Sequence, residues 1–158
     1  IKNLVKDLDG NTLVLFNYVE KHGTPLYELI NNNVESSRKV FFVHGGTDVE
    51  DREEVRNLTE TESNAIIVAS YGTFSTGINI KRLHNIVFAS PSKSRIRNLQ
   101  SIGRVLRKGE GKDIATLYDI ADDIGGQNYT LKHLNERVNI YNNENFKYEV
   151  IRVNLRAN

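Results

Sequence analysis

Residues 100–109 read "QSIGRVLRKG", and within them Gln100, Gly103, Arg104 and Arg107 recur at i, i+3, i+4 and i+7. On an α-helix that spacing puts all four on one stripe, while Leu99, Ile102 and Leu106 form another stripe that can bury. Two guanidinium groups one turn apart repel modestly in water, yet together they can clamp a polyphosphate through several charge-assisted hydrogen bonds. Glycine in mid-helix costs about 1 kcal/mol relative to alanine. Close approach of another body to the helix backbone at Gly103 is one reason to carry that cost. A solvent-facing basic helix would show the same pattern, so the stripe alone leaves both readings open.

Two further stretches could take part in the same chemistry. "IIVASYGTFSTGINI" at 66–80 is an apolar run that empties into small and hydroxyl residues. Ser70, Thr73, Ser75 and Thr76 offer donors there, and Gly72 and Gly77 offer backbone freedom; such a loop suits a phosphate backbone or an inter-domain contact. "VHGGTDVEDREEVR" at 43–56 reads as a strand, a tight turn and a helix opened by Asp48 as N-cap, which plain architecture would also explain.

Other chemistries are excluded or unsupported. There is no G-x-x-x-x-G-K-[ST] loop: "GKD" at 111–113 lacks the upstream glycine and the hydroxyl, so this chain by itself does not cradle a triphosphate. No cysteine is available for a thiolate nucleophile or ligand, and His22, His44, His84 and His133 lack metal-ligand spacing. No metal site is expected. Asp119, closing an apolar run, reads as a strand-end or turn residue. A G-x-S-x-G elbow is absent.

The 158 residues carry 21 Lys and Arg against 20 Asp and Glu, a net charge of +1, so any nucleic-acid binding must come from a local patch. One exists: Lys93, Arg95, Arg97, Arg104, Arg107, Lys108 and Lys112 face only Glu110 within 93–112. An acidic run with Asp48, Glu50, Asp51, Glu53, Glu54, Glu60 and Glu62 compensates it. Charge runs of either sign are commonly solvated helix faces. No apolar run approaches the roughly 20 residues of a membrane span, and the amino terminus has no signal-like segment. A single domain over 1–158 is expected, soluble and cytoplasmic.

These residues need elements to hold them. Apolar runs at 12–16, 39–43, 65–69, 85–89 and 114–120 read as strands covered on both faces. Helix-length segments at 24–32, with Pro25 in the first turn, at 48–58 and at 94–107 lie between them. The alternation gives an α/β class with a mainly parallel sheet and right-handed crossovers. A closing helix over 128–141 and a final strand in "YEVIRVNL" at 148–155 complete the reading. Ligands of such sheets sit beyond the carboxyl ends of the strands, where Asn17, Tyr18, His44, Gly45, Gly46, the segment 70–77 and the segment 90–94 collect.

On these stretches the sequence resembles the second RecA-like domain of a superfamily 2 helicase. "QSIGRVLR" matches that family's Q-x-x-G-R-x-x-R motif residue by residue. "NTLVLFNY" at 11–18, "VFFVHGG" with Arg52, and 66–80 resemble its other motifs in the same order. The resemblance covers roughly 1–125, and within the family it is most similar to phage recombination and repair helicases. It implies a three-layer α/β/α RecA-like fold and the carboxyl-terminal half of an ATP-driven motor. ATP and Mg2+ would be held mainly by an N-terminal RecA-like domain of the same chain. Arg107 would be the arginine finger, Arg104 a second phosphate or interdomain contact and Gln100 a sensor near the attacking water. Gly77, Asn79 and Gly103 would lie toward the nucleotide. Asn17, His44, Gly45, Ser70 and Thr73 would touch the nucleic acid backbone. The implied partner is DNA, branched by the nearest resemblance, with RNA also open, and the implied state is a monomer in the host cytoplasm.

The chain departs from the family twice. Asn79 stands where the family usually has Asp, which keeps hydrogen bonding and drops a charge. The loop from Ser70 to Gly77 is a residue longer than in many relatives. A different reading of the basic run is a stand-alone nucleic-acid-binding module without ATPase activity. A nucleotide-sugar transferase of doubly wound fold would need a sugar-nucleotide contact set that is not found.

Overall fold

The structure, a computed structural model, describes residues 1–75, 83–89, 115–125 and 129–155. The expected helix over 94–107, with Gln100, Gly103, Arg104 and Arg107, lies outside the described residues, as do Gly77 and Asn79. Five strands form one sheet: β1 (Thr12–Phe16), β2 (Val40–Val43), β3 (Ile66–Ser70), β4 (Asn85–Phe88) and β5 (Thr116–Asp119). Their order is β2-β3-β1-β4-β5, and every pairing is parallel.

The three inner strands are buried along their whole length, whereas β2 and β5 at the edges are only partly covered. This is why β1, β3 and β4 read as unbroken apolar runs: both faces of each residue pair meet a packed layer. Successive side chains point to opposite faces. Leu13, Leu15, Ile67, Ala69, Ile86 and Phe88 build one core cluster, while Val14, Phe16, Ile66, Val68 and Val87 build the other. The helices α1 (Lys2–Asp7) and α2 (Thr24–Asn31) supply Val5 and Ile30 to the second cluster. On the opposite face, Val55 of α3 (Val49–Thr61) and Val138 and Tyr141 of the closing helix α5 (Tyr129–Asn143) pack on the first. The short helix α4 (Tyr71–Ser75) joins that side through Tyr71. Each fully buried side chain of this size contributes about 1.5–3 kcal/mol.

The local signals act as expected. Pro25 sits in the first turn of α2. Asp48 immediately precedes α3, its carbonyl accepts from the Arg52 N–H at 3.1 Å, and Glu50 and Asp51 occupy the positive end of that helix.

The amino edge of the sheet is closed on itself. Buried Asn11 accepts from the Ala65 N–H at 2.9 Å and donates to the Glu62 carbonyl at 2.8 Å. The Arg38 guanidinium donates to the carbonyls of Val5, Lys6 and Leu8, at 3.2, 3.2 and 2.7 Å, and to that of Asn64 at 3.1 Å. The first three carbonyls belong to the carboxyl end of α1, where helical partners run out. Burial pulls the Arg38 pKa down, and the charge of Asp9 opposes the pull.

Three features differ from expectation. The chain does not leave β3 as a loop over 71–75: α4 starts directly after Ser70. A π-helical turn, Val19–Gly23, follows β1. The anticipated final strand is a correction, because residues 148–155 join no ladder. Their alternation is real, but Ile151, Val153 and Leu155 are 71%, 72% and 90% exposed. Periodicity reports suitability for a pleated surface, and here no neighbouring strand supplies one.

Candidate functional site

The parallel register brings the strand ends level. Phe16 lies opposite Ser70, Val43 opposite Ala69, Phe88 opposite Leu15 on one side and Asp119 on the other. The residues that follow therefore share one rim: His44 after β2, Ser70 closing β3, Asn17 after β1 and Ala89 after β4. With β3 between β2 and β1, two strand spacings of about 4.8 Å separate the exits carrying His44 and Asn17. Five of the residues singled out by sequence, Asn17, His44, Gly45, Ser70 and Thr73, thus meet at one edge.

His44 organises the turn after β2. Its backbone N–H donates to Thr47 Oγ1 at 3.0 Å, its carbonyl accepts from the Thr47 N–H at 2.9 Å, and its Nδ1 accepts from the Gly46 N–H at 3.1 Å. With Nδ1 engaged as acceptor, Nε2–H is the donor that the ring can offer outward. Gly46 is tight: a Cβ there would stand 3.1 Å from His44 Cε1, so the imidazole would have to give by a few tenths of an ångström. Exposed Gly45 has nothing within 4 Å of that position, so the backbone of the turn is open to approach.

Ser70 and Thr73 face each other rather than solvent. Their hydroxyls are 2.7 Å apart, Ser70 Oγ also accepts from the Thr73 N–H at 3.3 Å, and the two residues are 8% and 3% exposed. Ser70 thereby caps the first turn of α4, supplying an acceptor to a backbone donor that the helix leaves without a partner.

Asn17 is half-buried at the exit of β1, and Tyr18 beside it is 64% exposed. The Tyr18 carbonyl accepts from both the His22 N–H at 2.9 Å and the Gly23 N–H at 3.0 Å, the bifurcation that widens the turn into π geometry. Gly23 is pressed on the core: a Cβ there would lie 2.4 Å from the Phe16 ring.

At the far end of the rim Asp119 is a strand-end residue, as its sequence context indicated, and its role is structural. Arg137 Nε and Nη2 donate to its two oxygens at 2.7 and 2.8 Å, and the Tyr141 hydroxyl donates at 2.6 Å. Burial, then the Asp119 charge and hydrogen bond, push the Tyr141 phenol above its ordinary pKa. Sequence reading missed this network although a signal existed. Arg137 stands three residues after Leu134 and four before Tyr141, inside the apolar stripe of α5. An arginine in such a stripe calls for a buried acid.

Among the described residues no group of three or more His, Asp or Glu side chains is arranged to hold a metal ion, and no helix is long and apolar enough to cross a membrane.

Comparison with known proteins places this geometry. The chain is 42% identical over 160 residues to the ATP-dependent DNA helicase uvsW of Enterobacteria phage T4, covering 93% of this chain and 31% of that protein. It superposes on the crystal structure of T4 UvsW with a TM-score of 0.73 at 40% identity, over 92% of this chain and 32% of that one. The C-terminal part of the Fun30 ATPase domain has the same fold, with a TM-score of 0.61 at 18% identity over 79% of this chain and 38% of that one. The chain thus spans about a third of the length of these relatives. The model of the helicase conserved C-terminal domain matches residues 1–109, a stretch that takes in four of the five strands and the whole "QSIGRVLR" run. The RecA-like α/β/α sheet and the ordered motifs along its carboxyl edge have one common explanation: the chain belongs to the helicase conserved C-terminal domain family.

Proposed function

We propose that the whole protein is an ATP-dependent DNA helicase or branch-migrating translocase and that this chain is its second RecA-like motor domain. The observation that carries the reading is the family match over 1–109, which encloses every residue proposed for the site. The 42% identity to a protein named an ATP-dependent DNA helicase supports DNA as the substrate. Branched DNA, monomeric action and a cytoplasmic location extend that reading.

ATP and Mg2+ bind mainly to an N-terminal RecA-like domain, since this chain has no phosphate loop. When the two domains close, Arg107 reaches the γ-phosphate as the arginine finger. Arg104 makes a second phosphate or interdomain contact, and Gln100 senses the attacking water. Gly103, Gly77 and Asn79 line the nucleotide side; Asn79 acts through hydrogen bonds of its amide, not through a charge. Closure before hydrolysis and reopening after it step the protein along a phosphate backbone.

Along the carboxyl rim, Asn17, the His44 ring and the open backbone at Gly45 form the track for that backbone. Ser70 and Thr73 serve it by fixing the first turn of α4. Electrostatic contacts of the basic run 93–112 make binding fall steeply with salt. The reading is tested on the full-length protein by DNA-stimulated ATP hydrolysis, in which Arg107→Ala abolishes the stimulated turnover.

A further inference from the structure

We propose that Tyr18 is a stacking platform for an unpaired nucleobase, a contact additional to the phosphate track and resting on the reading of the rim as that track. Tyr18 belongs to neither core cluster and is 64% exposed, directly after Asn17 on the rim. Its large ring therefore contributes little to the packing of this domain, although aromatic rings are the side chains whose burial stabilises most.

The backbone that carries the ring is nevertheless held in place. The Tyr18 carbonyl is fixed by two N–H donors from the π-helical turn, and that turn is clamped to the sheet by the contact of Gly23 with Phe16. The phenol ring packs in a T-shaped pair with His22, with centroids 5.4 Å apart and planes at 63°. A single T-shaped neighbour restrains the ring and covers at most one of its two faces. Lys21, exposed in the turn that follows Tyr18, carries a positive charge three residues further on. An exposed aromatic ring on a turn that also carries a cation suits a nucleotide: the base stacks on the ring and its phosphate meets the charge. Stacking requires a base outside a duplex, so the ligand class is single-stranded nucleic acid or the splayed strand at a branch.

The experiment uses the full-length protein and two fluorescein-labelled polymers of equal length, oligothymidylate and an abasic deoxyribose-phosphate chain. Tyr18→Ala is expected to weaken binding of oligothymidylate by about 5- to 150-fold and to leave abasic binding unchanged, which also reports that the variant is folded. Tyr18→Phe, which keeps the ring, is expected to bind both polymers like the parent. Unchanged oligothymidylate binding by Tyr18→Ala overturns the proposal, as does equal weakening for both polymers or a Tyr18→Phe as defective as Tyr18→Ala. If Tyr18→Ala has no effect while Arg107→Ala abolishes stimulated ATP hydrolysis, the stacking proposal fails and the motor reading stands. A parent protein that binds neither polymer overturns both.

Discussion

Arg137 on the closing helix grips Asp119 at the end of β5 with two hydrogen bonds of 2.7 and 2.8 Å, and the two side chains are 2% and 9% exposed. Breaking such a pair leaves a buried charge without compensation. Arg137→Leu is expected to lower stability by about 3–5 kcal/mol in chemical denaturation. Arg137→Leu combined with Asp119→Leu is expected to lose less than the sum of the single changes, by about 1–3 kcal/mol. Additive losses would mean that the pair is not coupled.

The same network sets a pH dependence. Burial and Asp119 raise the Tyr141 phenol in the fold above the ordinary tyrosine value of about 10. Its contribution is complete below that value. Above it the unfolded chain loses the proton while the folded chain keeps it, so stability falls with rising pH. Melting temperatures between about pH 8 and 11 are expected to drop more steeply for the parent than for Tyr141→Phe. Equal slopes would remove Tyr141 as the cause.

Two glycines of the rim are expected to respond differently to the same substitution. A methyl group at Gly23 would stand 2.4 Å from the ring of Phe16, which is fully buried. Gly23→Ala is expected to cost about 1–3 kcal/mol in denaturant unfolding, as overpacked cores do. Gly45 has open space and an ordinary φ, so Gly45→Ala is expected to be neutral or to stabilise by up to about 1 kcal/mol. Any loss of DNA binding in Gly45→Ala then reads approach to the backbone, not folding.

Ser70 tests whether its hydroxyl acts within the fold or on the track. Ser70→Ala removes an N-cap acceptor from α4 and is expected to cost about 0.5–2 kcal/mol of stability. DNA affinity is expected to stay close to the parental value, because no phosphate contact is lost. A fall in affinity of about tenfold or more would give the hydroxyl a direct phosphate contact.

The sheet was legible in the sequence because strands covered on both faces must be apolar throughout, and the five runs appear within a residue or two of their observed ends. The rim followed from the parallel order, which brings Asn17, His44 and Ser70 to one edge. The fate of the hydroxyls was not legible: Ser70 and Thr73 are three residues apart, a spacing that serves a ligand or a helix cap equally well. The π-helical turn depends on Gly23 meeting Phe16, a contact set by packing and invisible in local propensity. The tail had the alternation of a strand but no strand beside it, and pairing is a property of two segments.

The most direct measurement is DNA-stimulated ATP hydrolysis by the full-length protein carrying Arg107→Ala or Arg107→Lys. The expected result is a fall of about 10³-fold or more in stimulated turnover for Arg107→Ala. Arg107→Lys is expected not to restore it, because lysine lacks the planar fork, and DNA affinity is expected to stay close to that of the parent. Turnover of Arg107→Ala within a few-fold of the parent would contradict the assignment of this domain as the lobe that completes the ATP site.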